Sequence, residues 1–203
     1  MATKPTLMTA NEAASVTGVP LRQVHRIIDA GLLGTAVKQR NNTRLLASKG
    51  LVGLRLAHDT ADMLTLQGRR AVVASSIRSP RQSVIRADMV VVDARPAART
   101  VRSGLSLLAK ARSMVSSTPD VLGGTPVFKG TRIPVHEIAD MLANGDRPAA
   151  IVKAYPKLDA ERVRLASIYA QAYPARGRPR TKPRRPQTPK SSETLAFDDL
   201  GRA

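Results

Sequence analysis

The side chains best suited to chemistry in this chain are basic and amide groups at helical spacing. Arg22, Gln23 and Arg26 fall on one side of a predicted helix. Apolar residues fall on the opposite side: Leu21, Val24, Ile27 and Ile28. Arginine and glutamine placed this way suit contacts with guanine, adenine and phosphate in a DNA major groove. The spacing therefore predicts contact with double-stranded DNA.

A second basic group follows that helix on a predicted hairpin. Residues 35–46 have a turn signal at Asn41-Asn42, and Lys38, Arg40 and Arg44 flank it. A basic hairpin placed after such a helix suits further DNA contacts, so these three cations join the candidate DNA-binding residues.

Local signals define the two helices that position these side chains. Thr9 and Glu12 have the spacing of a capping box, which starts a short first helix. A turn at Gly18 follows, Pro20 opens the second helix, and Gly31 ends it. Helix, glycine-containing turn and helix is the plan of a helix-turn-helix.

This stretch resembles the winged helix of MerR-type regulators. The resemblance lies in Asn11-Glu12-Ala13-Ala14, the Gly18 turn, the basic second helix and Ala30-Gly31-Leu32-Leu33. It implies a DNA-binding winged helix-turn-helix within an N-terminal domain over residues 1–95.

The rest of that domain is predicted element by element, without a topology. Leu51 to Leu56 is interpreted as a possible strand, and Thr65 as the cap of a helix through about Ile77. Met89 to Val92 is predicted to be a short buried strand. A helix over residues 97–114, within a connecting segment over 96–118, is expected to join two domains and to dimerise. Its apolar stripe is Val101, Leu105 and Leu108.

Residues 119–174 predict a hairpin followed by three short helices. Val127-Phe128 favours a strand, Lys129-Gly130 a two-residue turn, and Pro134 the start of a helix. Gly145 is a natural end for that helix. Two aspartates, Asp146 and Asp159, are predicted to cap the second and third helices.

The same region resembles a small trihelical domain of bacterial antitoxins, catalogued as domain of unknown function number 433. The matching residues are Gly130 to Val135, Gly145, and Tyr155-Pro156-Lys157-Leu158. The resemblance implies a VapB-type antitoxin and a helix-turn-helix-like C-terminal domain. The predicted fold is therefore mainly α with short β-hairpins, an α+β class.

The charge of the chain is uneven. The net charge is +18 over 203 residues. Residues 1–115 hold 18 Lys and Arg against 6 Asp and Glu, whereas residues 116–174 hold 7 against 6. Polyanion affinity is therefore expected in the N-terminal half, with a contribution from residues 175–203, and the C-terminal domain is expected to contact protein or to dimerise. With two Phe, three Tyr and no Trp, stacking on single-stranded nucleic acid is not expected.

Residues 175–203 are expected to be a disordered basic tail that binds a toxin. The composition lacks large aliphatic residues up to residue 190 and becomes apolar again at its end. The candidate toxin-binding residues are Arg176, Arg178, Arg180, Arg184, Arg185, Leu195, Phe197 and Leu200. An unstructured DNA-binding tail is the alternative interpretation.

No catalytic constellation is expected. His25, at the edge of an apolar helix face, is interpreted as a packing residue, and His58 and His136 lie in other modules. None has metal-ligand spacing, so no metal, no cofactor and no enzymatic activity are expected. The absence of cysteine suits a reducing cytoplasm, and no apolar run has the length of a membrane span.

These observations together predict the antitoxin of a type II toxin-antitoxin system. The resemblance implies a PIN-like ribonuclease toxin as one partner. The predicted winged helix is expected to bind operator DNA as a homodimer, since operator sites for helix-turn-helix proteins are usually two-fold. A stand-alone MerR-like transcriptional regulator without a toxin is the main alternative, and a nucleoid-type DNA-binding protein is a weaker one.

Overall fold

The computed structural model describes residues 6–87 and 90–175. Helices and short antiparallel strand pairs alternate in this part of the chain, so the α+β prediction is confirmed. The helices are α1 Ala10–Thr17, α2 Leu21–Asp29, α3 Leu51–Asp59, α4 Leu66–Arg78, α5 Arg95–Ser113, α6 Val135–Ala143, α7 Pro148–Ala154 and α8 Ala160–Ala172. The strands are β1 Leu7–Met8, β2 Val37–Arg40, β3 Thr43–Ala47, β4 Val84–Ala87, β5 Val90–Asp93, β6 Val115–Ser116 and β7 Val127–Phe128.

The predicted helix pair is confirmed, and its local signals act as expected. The Thr9 hydroxyl accepts from the Glu12 amide at 3.2 Å, and the Glu12 carboxylate accepts from the Thr9 amide at 2.8 Å. Gly18 ends α1 with φ 69°, a left-handed conformation that glycine adopts without strain. The chain can therefore turn within three residues and begin α2 after Pro20.

Two expectations about the faces of α2 are wrong. His25 is exposed, and Leu21 is 39% exposed. Only Val24, Ile27 and Ile28 are buried on this helix. The reason is that α1 and α3 pack on α2 along that narrower stripe and leave its flanks in solvent.

The hairpin after α2 is also confirmed. It turns at Asn41 and Asn42, which have φ 45° and 58°, and forms a three-stranded sheet in the order β1-β3-β2. Asparagine tolerates left-handed φ better than most residues, so this pair can close a tight two-residue turn. The buried Leu46 of β3 joins the core formed by α1, α2, α3 and α5.

The prediction of a strand over Leu51–Leu56 is wrong, since these residues open α3. α3 is buried on most sides, and its near-continuous apolar run has no periodicity that distinguishes a strand from a helix. The Thr65-capped helix is confirmed as α4, with the Thr65 hydroxyl accepting from the Gly68 amide at 3.2 Å.

Strands β4 and β5 form a two-stranded antiparallel sheet. The strand predicted near Val90 exists, but the expectation that it is buried is wrong, because Val91 is 64% exposed. Ile85 and Val92 face the core formed with α3 and α4, and the other face of this small sheet is uncovered. Met89 lies outside the described residues.

The helix predicted over residues 97–114 is confirmed as α5, but the hairpin after it differs from the prediction. β7 pairs with β6, which precedes it, in the register Val115↔Phe128 and Ser116↔Val127. On the other side, β7 makes one bridge to Pro134 after a longer turn. The bridge is flanked by two hydrogen bonds, from the Phe128 amide to the Ile133 carbonyl at 3.1 Å and from the Val135 amide to the Pro126 carbonyl at 3.0 Å. The pairing ends there because α6 begins at Val135.

Helices α6, α7 and α8 enclose a second core, and the three predicted helices are confirmed. Asp159 caps α8 by accepting from the Arg162 amide at 2.7 Å. The cap predicted at Asp146 is wrong. Pro148 occupies the first turn of α7, so the residue before it, Arg147, takes the extended N-cap position.

Candidate nucleic-acid interface

The predicted DNA-contact face of α2 is open to solvent. Arg22 and Arg26 are exposed and Gln23 is half-buried. Arg22 and Arg26 are four residues apart, so they lie one helical turn apart on the same surface. Because Val24, Ile27 and Ile28 anchor the opposite side in the core, α2 presents its two cations from a fixed support.

Arg44 connects the β2–β3 hairpin to this helix. Its Nη1 lies 2.6 Å from Oδ1 of Asp29, the last residue of α2. Both side chains are about half exposed, so the pair contributes only about 0.2–1 kcal/mol of stability. The pair shows that the hairpin lies beside the C-terminal end of α2.

Lys38 and Arg40 lie on the other face of the hairpin from Arg44. Gln39 is paired with Arg44 in the strand register, and successive side chains of a strand point to opposite faces. Lys38 and Arg40 are exposed. The structure therefore brings Arg22, Gln23 and Arg26 onto one surface. Arg44 lies where the hairpin meets α2, whereas Lys38 and Arg40 lie on a separate face.

Arg55 is a further cation near α2 that the sequence patterns did not indicate. Its Nη1 donates to the Thr17 carbonyl at 3.0 Å, and its Nε lies 2.8 Å from Oδ2 of Asp59. The guanidinium thus lies against the turn at Gly18, between α1 and α2. No local sequence pattern could have indicated this contact, because Arg55 and Thr17 are 38 residues apart along the chain.

The predicted toxin-binding residues all lie outside the described residues. They are Arg176, Arg178, Arg180, Arg184, Arg185, Leu195, Phe197 and Leu200. The chain leading to them is placed at Tyr173, just after α8.

Tyr173 joins the C-terminal helices to α1. Its hydroxyl donates to Oε1 of Glu12 at 2.6 Å, while the same carboxylate completes the capping box of α1. His136 of α6 donates from Nε2 to the Tyr173 carbonyl at 2.7 Å, and the Ser15 hydroxyl donates to the Ile168 carbonyl at 3.3 Å. The point where the tail begins is therefore fixed to the helix that supports α2.

The environment of Tyr173 favours its neutral form. Burial, followed by the hydrogen bond to the Glu12 carboxylate, raises the pKa of Tyr173 well above its ordinary value. A phenol whose pKa is higher in the folded state stabilises the fold fully below its unfolded pKa, and this contribution is lost as the pH rises through the folded value.

Replacing Tyr173 by phenylalanine is expected to lower the free energy of unfolding by about 1.5 kcal/mol near pH 7. This is the lower end of the range for hydrogen bonds to charged groups. The ring, which lies 4.9 Å from the Tyr169 ring, is retained. The difference in free energy of unfolding between the variant and wild type should stay constant up to pH 10.0, the ordinary pKa of tyrosine, and should shrink above it. Urea unfolding at several pH values measures this, and identical curves for Y173F and wild type would contradict the assigned hydrogen bond.

Within residues 6–87 and 90–175, no group of three or more His, Asp or Glu side chains is arranged to hold a metal ion. No helix in the same ranges has both the length and the apolar character needed to cross a membrane.

Known proteins resemble this chain in one domain and along most of its length. Residues 115–170 match the model of the protein of unknown function DUF433, so the chain contains a DUF433 domain. That span begins at β6, in agreement with the pairing of β6 and β7.

The chain is 37% identical over 187 residues to the uncharacterized protein y4eO of Sinorhizobium fredii (strain NBRC 101917 / NGR234). The alignment covers 86% of this chain and 85% of that protein, so the chain belongs to the same family. It is also similar to the crystal structure of Rv2018 from Mycobacterium tuberculosis, at 15% identity and a TM-score of 0.31, over 82% of this chain and 99% of the other.

Proposed function

We propose that this protein is the antitoxin of a type II toxin-antitoxin system. In this proposal α1, α2 and the β2–β3 hairpin act as a winged helix-turn-helix that binds the operator of its own operon. The chain after Tyr173 binds and neutralises a PIN-like ribonuclease toxin. The protein works as a homodimer, since operator sites for helix-turn-helix proteins usually have two-fold symmetry.

The exposed face of α2 is the observation that carries the DNA-binding part. Arg22 and Arg26 lie on a helix whose other side is buried, and a basic hairpin lies beside it, in contact through the Arg44–Asp29 pair. A major groove admits one helix, whose side chains reach base edges while flanking cations contact phosphates. The geometry of α2 and its hairpin suits both kinds of contact.

The charge distribution supports the same assignment. Residues 1–115 carry a net charge of +12 (18 minus 6), whereas residues 116–174 carry +1 (7 minus 6). Attraction to phosphates therefore acts mainly on the N-terminal half. The DUF433 domain is nearly neutral, which suits binding to protein better than binding to DNA.

The toxin-binding part rests on the composition of the tail. Arginine binds carboxylates in a bidentate geometry, and the active site of a PIN-like ribonuclease is acidic. Arg176, Arg178 and Arg180 lie directly after the last described residues, with Arg184 and Arg185 as the alternative set. Leu195, Phe197 and Leu200 would supply apolar anchors.

Co-expression with the product of the adjacent gene, followed by pull-down and a growth assay, tests this function. The full chain should capture a small acidic protein and relieve its toxicity. A chain ending at residue 175 should lose neutralisation and keep promoter binding, because the hydrogen bonds that join α1 to Tyr173 and to α8 are retained.

Neutralisation by the shortened chain would contradict the tail mechanism. Promoter binding without any toxin partner would instead establish the stand-alone regulator. Equal affinity for promoter and random DNA at fixed salt would contradict both, and would favour a nucleoid-type role.

A further inference from the structure

Helix α5 carries a row of three exposed arginines, Arg95, Arg99 and Arg102, which we call the arginine row. Their spacings of four and three residues place them on one face of the helix over about two turns. The buried residues of α5 lie on its other side: Ala97, Val101, Leu108 and Ala111. The arginine row is therefore a solvent-facing feature of a firmly packed helix.

The three arginines differ in their partners. Arg95 is engaged with Asp93 through Nε to Oδ1 at 2.9 Å and Nη2 to Oδ2 at 2.9 Å. These hydrogen bonds hold the pKa of the Asp93 carboxyl below its ordinary value. Among the described residues, Arg99 and Arg102 have no salt bridge. The charge of Arg99 also acts on the nearby Asp93 carboxyl, but one carboxylate faces three arginines, so this face keeps a net positive charge.

The packing of α5 against α1 places Arg99 beside the turn that leads into α2, and Arg102 follows one helical turn later along α5. Gly104 lies so close to α1 that an added Cβ would be 2.8 Å from the Val16 carbonyl carbon. Nearer the N-terminus of α5, Arg99 lines a groove together with Gly18, the residue that ends α1. The chain needs only two further residues to enter α2, where Arg22 begins the candidate DNA face.

We infer that Arg99 and Arg102 bind two phosphates of the DNA backbone that flanks the groove entered by α2. This inference rests on the proposed operator binding and adds a second contact surface to it. Phosphates follow one another about every 3.4 Å of helix axis along one strand. Residues three apart in an α-helix are about 4.5 Å apart along its axis, so the two arginines are spaced closely enough to contact neighbouring phosphates of one strand.

These two contacts are independent of DNA sequence. A guanidinium that binds a phosphate positions the protein on the duplex and reads no base edge. Arg99 and Arg102 therefore raise affinity for all duplexes equally, whereas Arg22, Gln23 and Arg26 supply the sequence preference.

The test compares the full chain with the Arg99→Ala/Arg102→Ala variant on two duplexes of equal length, the DNA upstream of its own gene and a random sequence. Affinities are measured from 50 to 200 mM salt. Each phosphate contact contributes about 0.9 to the magnitude of the slope of log K against log salt concentration. The magnitude of the slope should therefore be smaller by about 1.8 in the variant. Both duplexes should weaken by the same factor, which leaves the specificity ratio unchanged.

Two matched variants complete the experiment. Arg99→Lys/Arg102→Lys keeps both charges and should retain a slope near that of wild type. Arg147→Ala/Arg164→Ala removes two exposed arginines from the DUF433 domain and should leave the slope unchanged.

The outcomes separate this inference from the operator-binding proposal. A wild-type protein without preference for the upstream DNA overturns operator binding itself. A wild-type preference combined with an unchanged slope in Arg99→Ala/Arg102→Ala overturns the phosphate contact alone. A changed specificity ratio also overturns it, because it assigns base reading to α5.

Discussion

Replacing Gly104 by alanine should lower the free energy of unfolding by about 3 kcal/mol, the upper part of the range for overpacked cores. The added Cβ would lie 2.9 Å from the Val16 Cα, 2.8 Å from its carbonyl carbon and closer still to its oxygen. Main-chain atoms cannot rotate away as a side chain can, so α5 must move off α1. The gain in helix propensity, about 1 kcal/mol, does not offset this.

Gly68→Ala in α4 is the matched control for this experiment. Its Cβ would meet nothing closer than 3.6 Å, so the substitution should be neutral or stabilise by up to about 1 kcal/mol. Chemical denaturation of both variants measures the two effects. A Gly104→Ala protein as stable as wild type would show that α5 does not pack directly against the backbone of α1.

The Arg22→Ala/Arg26→Ala variant should lose its footprint on the promoter. A well-placed side-chain contact with a base is worth about 1–3 kcal/mol, and every 1.4 kcal/mol is tenfold in affinity. Two such contacts, worth about 2–6 kcal/mol together, therefore correspond to a loss of about thirtyfold or more. Both side chains are exposed, so the fold should be unaffected, and circular dichroism of the variant should match that of wild type.

Nuclease footprinting and gel-shift titration on promoter DNA measure this loss, and Arg147→Ala/Arg164→Ala again serves as the control of equal charge. An unchanged footprint in the α2 variant would show that DNA is bound elsewhere, by the hairpin at Lys38 and Arg40 or by residues 51–95. A loss on promoter DNA much larger than the loss on random DNA is expected, because base contacts carry specificity.

Much of the local structure could be predicted because its causes lie within a few residues. The capping box of Thr9 and Glu12, the turn at Asn41-Asn42 and the cap at Asp159 all act over four residues or fewer. Such signals need no knowledge of what packs above them. The helical spacing of Arg22 and Arg26, and hence their shared face, belongs to the same group.

Predictions failed where burial decided the outcome. Leu51–Leu56 forms part of α3 because a helix enclosed on most sides loses its periodic pattern. His25 is exposed because only a narrow stripe of α2 is covered. In both cases the residue types were compatible with two environments, and the neighbouring elements selected one.

The sequence by itself determined the start of the two N-terminal helices, the basic hairpin, the three C-terminal helices and the excess of positive charge in residues 1–115. Only the tertiary structure decided how these parts meet. Arg44 pairs with Asp29 across 15 residues, Tyr173 reaches Glu12 across 161, and Gly104 lies against Val16. Contacts at such separations depend on how whole elements pack, because no local pattern encodes the distance between two helices that meet only in the folded chain.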